Sequence, residues 1–138
     1  MREGWHNEDY LVLLSDQESS DASRGYGIQG YMPGYQILGL RGWDDFIVRD
    51  EAGGVSTVPT VPMDRRHLAA WTLPAYSAVL EPDARFAGRI KWHTKPLVFG
   101  GDVNDPTNTI WVSHEVHMQL VTWWNALYRD VREGSGDA

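Results

Sequence analysis

The chain has 138 residues, no cysteine, 12 basic and 19 acidic side chains, and a formal net charge of −7. That length supports one domain burying about two thirds of its unfolded surface, and the lack of cysteine excludes a disulfide scaffold, thiol catalysis and Cys-based zinc or iron–sulfur centres. The acidic balance repels phosphate backbones, which argues against nucleic acid and for a basic partner.

The first strand is predicted at residues 9–14 (DYLVLL). Ser15 and Glu18 follow in capping-box spacing: the Ser15 hydroxyl can accept the Glu18 N–H while the Glu18 carboxylate reaches back to the Ser15 N–H. A helix of two or three turns starts there and ends near Gly25 and Gly27. Residues 35–40 (YQILGL), 46–48 and 55–61 read as three more strands, rich in the β-branched and aromatic residues that suit a pleated, half-buried surface. The Gly53-Gly54 pair supplies a hairpin turn, and Pro59 and Pro62, which lack an N–H, place the last of these strands at an edge or end it in a bulge. Short helices are expected at residues 65–71 and 75–80, and short strands at 89–92, 95–99 and 110–112, with a surface loop from Gly100 to Asn108.

A long C-terminal helix closes the chain. Ser113 is its N-cap, Glu115 lies in the first turn and Arg129 and Arg132 near the end, each favourably placed in the helix dipole. Val116, Leu120, Trp124, Leu127 and Val131 recur at helical spacing, which predicts a core-facing stripe. Residues 134–138 should fray as a disordered tail, leaving one domain over residues 1–133. No stretch of eighteen apolar residues occurs and residues 1–10 lack an apolar signal core, so the expectation is a cytoplasmic protein without a membrane span.

Several residues invite a chemical reading. His114 and His117, three apart on a helix, could face one metal ion with Glu115 or His93 as further ligands, but the spacing is not HExxH and the exposed first turn favours a solvated helix end, so no metal is expected. Gly100-Gly101 lacks dinucleotide-fingerprint spacing, and Ser56, Ser77 and Ser113 lack a nucleophile elbow, which leaves no catalytic residue and no cofactor to assign. Asp44 and Asp45 form a carboxylate pair in a glycine-flanked loop, suited to acid–base chemistry, cation binding or partner recognition. Trp43 beside them can either cap the sheet or face a partner.

The first half of the chain resembles the SUKH superfamily of bacterial toxin-immunity proteins and cell-wall-synthesis regulators. The residues that carry the likeness are Tyr10 to Leu14 with the following helix, Met32-Pro33-Gly34-Tyr35, Ile37-Leu38-Gly39, a turn centred on Gly42, Phe46-Ile47-Val48 with Asp50, and Val58 to Asp64 ending in VPMD. It spans about residues 8–68. Many members carry a glycine run followed by glutamate at the central turn; here the turn is Gly42-Trp43-Asp44-Asp45. A helical lead-in before the first strand is missing, and residues 69–138 do not align. The resemblance implies a non-enzymatic α+β domain, helices around a mostly antiparallel sheet, that neutralises a cognate toxin by direct contact. Trp43, Asp44 and Asp45 are then the expected partner-binding residues, and the acidic charge would speed encounter with a basic toxin. The alternatives are a regulatory or structural interaction protein without a toxin partner, and a small enzyme using Asp44, Asp45 and histidines.

Overall fold

A computed structural model describes residues 1–75, 79–94, 99–101 and 104–136. Its main element is a six-stranded antiparallel meander in sequence order: β1 (Arg2–His6), β2 (Asp9–Leu13), β3 (Gln36–Arg41), β4 (Asp45–Arg49), β5 (Val55–Pro59) and the two-residue β6 (Ala69–Ala70). Between β2 and β3 lies helix α1 (Asp16–Tyr26), followed by a 3-10 turn at Ile28–Gly30. A second, two-stranded sheet pairs β7 (Ile90–His93) with β8 (Thr109–Val112), and the long helix α2 (His114–Gly136) completes the chain. The architecture is a single α+β domain, as the sequence predicts.

Local signals account for most of this order. The capping box forms: the Glu18 N–H donates to Ser15 Oγ at 3.2 Å and the Ser15 N–H to Glu18 Oε1 at 2.9 Å. Gly27 ends α1 in the left-handed region at φ 70°. Ser19 and Ser23, polar residues on the inner face of α1, dock it on the sheet; Ser19 Oγ donates to the Ile37 carbonyl and Ser23 Oγ accepts the Ile37 N–H. The register slips between Ile37 and Gly39, so Leu38 bulges and its carbonyl accepts the Leu14 N–H at 2.9 Å. Gly39 is obligatory here, because a Cβ at that position would lie 2.0 Å from the Val12 carbonyl oxygen.

Tyr10, Val12, Ile37, Leu40, Phe46, Val48 and Val58 build the core with Tyr26 and Ala22 of α1 and Val121 of α2. The alternate residues Leu11, Ile47 and Thr57 are also buried, so the central strands are covered on both faces. Asn125 of α2 ties the helix to the chain leaving β5. Its Nδ2 donates to the Thr60 and Val121 carbonyls at 2.7 and 3.0 Å, and its Oδ1 accepts the Met63 N–H at 2.7 Å. Asp64 binds both Arg66 and Arg132; burial alone would raise its carboxyl, but hydrogen bonds and charge from these arginines hold it below the usual range.

The structure departs from several sequence expectations. Residues 2–6 form β1, unpredicted because REGWH has no apolar alternation; it is an edge strand held through β2 and through a bridge between Trp5 and Glu81. Strand β5 is not the edge: β6 pairs with it at Ser56 and Thr57, and Pro59 sits at its end. The helix expected over residues 65–71 is only a 3-10 turn, Arg65–His67, capped by Asp64, followed by β6. In the helix expected at 75–80, residues 75, 79 and 80 carry no regular structure, and 76–78 lie outside the described residues, as does most of the strand expected at 95–99. Helix α2 runs on to Gly136, past the expected end at residue 133. Its buried line is His117, Val121 and Asn125, not the stripe from Val116 to Val131, of which Val116 and Val131 are exposed.

Candidate functional site

The β3–β4 hairpin turns through Gly42 and Trp43, with φ of 60° and 67°. Two successive positive φ values match the right-handed twist of a hairpin, and glycine adopts them freely whereas tryptophan does so only under strain. What holds Trp43 there is its ring. It stacks on Tyr10 at a centroid distance of 5.1 Å and meets Trp5, Phe86 and Trp111 edge-on at 6.4, 5.1 and 5.6 Å. The Trp43 ring lies half-buried over the sheet end. The sequence does not bring Phe86 and Trp111 to this cluster, because they come from distant and irregular parts of the chain.

With the ring pinned, the next residue is directed outward. Asp44 is exposed, its side chain at 51%, and its Oδ1 lies 3.3 Å from Nε2 of the buried His93, off the line of a hydrogen bond. Its carbonyl accepts the Thr60 N–H at 2.9 Å, which fixes the backbone below it. Asp45 starts β4 opposite Arg41, and Arg41 in turn pairs with Asp9 at 3.2 Å. Both carboxyls are raised above the ordinary value. For Asp44 the cause is desolvation by the protein atoms on its inner side, although half of the side chain stays open to solvent, opposed by His93 and Lys91; for Asp45 it is burial and then the neighbouring charge of Asp44, opposed by Arg41. The tip therefore holds two adjacent carboxylates that the fold leaves short of positive charge.

The paired histidines fall elsewhere, and the expectation of a solvated helix end is corrected. His117 is fully buried: Nδ1 lies 2.6 Å from the Tyr26 hydroxyl, and its ring meets Trp92 and Phe46 edge-on. Burial, and then the nearby His114, push its pKa down to about 3. It is thus neutral, and its Nδ1 shares a hydrogen bond with the buried Tyr26 hydroxyl, whose own pKa burial pushes upward. His114, half-buried, is also lowered by burial. Among the described residues no three His, Cys, Asp or Glu side chains converge on a metal-binding arrangement. Beside His114 an apolar cavity of about 330 Å³ lies between α1, α2 and the sheet, lined by Val12, Ala22, Tyr26, Phe46 and Met118.

No family model matches the chain, and no curated protein and no solved structure matches it. Among the described residues no helix is long and apolar enough to cross a membrane.

Proposed function

We propose that the chain is a non-enzymatic binding protein of the immunity type, acting in the bacterial cytoplasm, that neutralises a cognate toxin by direct contact through Trp43, Asp44 and Asp45. The observation that carries this reading is the hairpin tip. A tryptophan held at positive φ by four aromatic neighbours sets two undercompensated carboxylates at the surface, and strain and unfavourable charge persist in folds chiefly where function uses them. A lysine or arginine brought by a basic partner would complete the charge balance there, and the net charge of −7 would speed the encounter. The resemblance of residues 8–68 to SUKH proteins supports the same class.

The test is co-expression and pull-down with the toxin encoded beside the gene. A complex that forms faster at low salt, protects the host, and weakens when Asp44 and Asp45 are changed to asparagine supports the reading. Absence of both complex and protection overturns it. A partner that is not a toxin would instead indicate a regulatory interaction protein.

One contact favours a second reading. The approach of His93 to Asp44 is the kind of pair that moves protons in a small enzyme. That reading predicts a turnover abolished by Asp44→Asn in a protein that remains folded.

A further inference from the structure

Helix α2 carries a buried line and, beside it, an apolar one. One, His117, Val121 and Asn125, is buried against the sheet and α1. The other, Val116, Leu120, Trp123 and Leu127, lies about 100° around the axis, and it is spaced four, three and four residues apart, with Val131 four residues further. Trp123 is 59% exposed, Val131 52% and Val116 41%. Trp124 meets the Trp123 ring edge-on at 4.8 Å and is itself packed on Phe99, so the exposed indole is braced from behind.

We infer that this face pairs with the same face of a second copy of the chain, antiparallel, to form a two-fold homodimer. Spacing of four, three and four is the heptad seam that one helix presents to another. Charge selects the occupant. Residues 116–128 (VHMQLVTWWNALY) contain no Asp, Glu, Lys or Arg, in a chain whose residues are 22% charged; the exposed flanks along this middle part of the seam are Gln119, Thr122 and Ala126, and charge returns only at its ends, with Glu115 beside Val116 and Asp130 and Arg132 beside Val131. The uncharged middle of the seam offers a basic partner nothing to pair with. It suits an identical seam, because two molecules of charge −7 repel least where neither carries a charge. The line is also self-complementary: Val116 and Val131 lie seven and eight residues either side of Trp123, and Leu120 and Leu127 three and four. An antiparallel two-fold axis near Trp123 therefore sets Trp123 against its own copy, Leu120 against Leu127, and Val116 against Val131, as an isologous interface requires. The seam is about 22 Å long.

This pairing is independent of toxin binding at the hairpin tip. Sedimentation velocity on the full chain between about 5 and 200 μM should show a dimer. Trp123→Glu should raise its dissociation constant more than about tenfold, as loss of a central aromatic anchor does, with an unchanged far-ultraviolet spectrum. Val131→Glu gives the same reading at a second exposed position should the first variant fold poorly. Asp44→Asn should leave the dimer intact. A monomer throughout that range, or a dimer that survives both glutamate substitutions, overturns the inference.

Discussion

Nδ1 of His117 on α2 lies 2.6 Å from the hydroxyl of Tyr26 on α1, a hydrogen bond that joins the two helices inside the core through a neutral imidazole. The folded pKa of His117, about 3, lies far below its ordinary 6.5. Between those values the unfolded chain takes up a proton that the folded chain refuses. Stability from this group is therefore complete above pH 6.5 and is lost as pH falls, and His114, also lowered, acts with the same sign. From pH 6.5 to 5, where ordinary carboxylates barely titrate, His117 should cost about 1.5 kcal/mol, and His114 adds to the loss in the same direction. Urea unfolding across that window measures the slope. His117→Gln should flatten it, whatever that substitution does to absolute stability, and an equally steep variant would contradict the assignment.

Asn125 uses its side-chain amide entirely on backbone groups of Thr60, Met63 and Val121. Asn125→Ala strands the buried Met63 N–H and the Thr60 carbonyl, at ~1–3 kcal/mol for each unsatisfied group. A loss of about 3 kcal/mol is expected in chemical denaturation. A loss below about 1 kcal/mol would show that water replaces the amide.

Gly39 touches backbone, not a movable side chain. A methyl group there meets the Val12 carbonyl at 2.0 Å, so Gly39→Ala must push β2 and β3 apart. The expected cost exceeds about 3 kcal/mol. Gly30→Ala, at a site with no atom nearby, is the matched control and should change little.

Asp44 and Asp45 have folded-state pKa values above the ordinary carboxylate value, so folding disfavours their charged forms. The penalty is present at neutral pH and disappears as pH falls through the raised values. Asp44→Asn and Asp45→Asn should each stabilise the free protein at pH 7, by up to about 1 kcal/mol once solvent screening is allowed for. Thermal melts of both variants test this. If either melts lower than the parent, the carboxylate is compensated in a way the surrounding charges do not suggest.

Hairpin signals are short-range, and for that reason β3, β4, β5 and the capping box of α1 could be read from the residues themselves. The SUKH likeness rested on these same local patterns. Strand β1 could not be found this way, since REGWH carries no periodicity and owes its conformation to β2 and Glu81. The pairing of β7 with β8 joins segments separated by a long irregular stretch, so pattern gives each strand but not the partnership. The apolar stripe of α2 was visible, but hydropathy alone turned it inward. Polar His117 and Asn125 occupy the buried line because Tyr26, Thr60 and Met63 satisfy them, and no local rule anticipates partners that distant. At the hairpin tip the sequence placed Trp43, Asp44 and Asp45 together; what it lacked was the ring cluster that fixes one and exposes the next.

That cluster has a practical consequence. Trp43 stacks on Tyr10 and meets Trp5 and Trp111, and it is adjacent in sequence to Asp44. Coupled indoles in a fixed geometry give strong near-ultraviolet circular dichroism, and their emission shifts when the wall around them moves. The protein thus contains its own optical reporter at the hairpin tip. Occupancy of the tip could be followed in unlabelled protein, with Trp43→Phe identifying which part of the signal originates there.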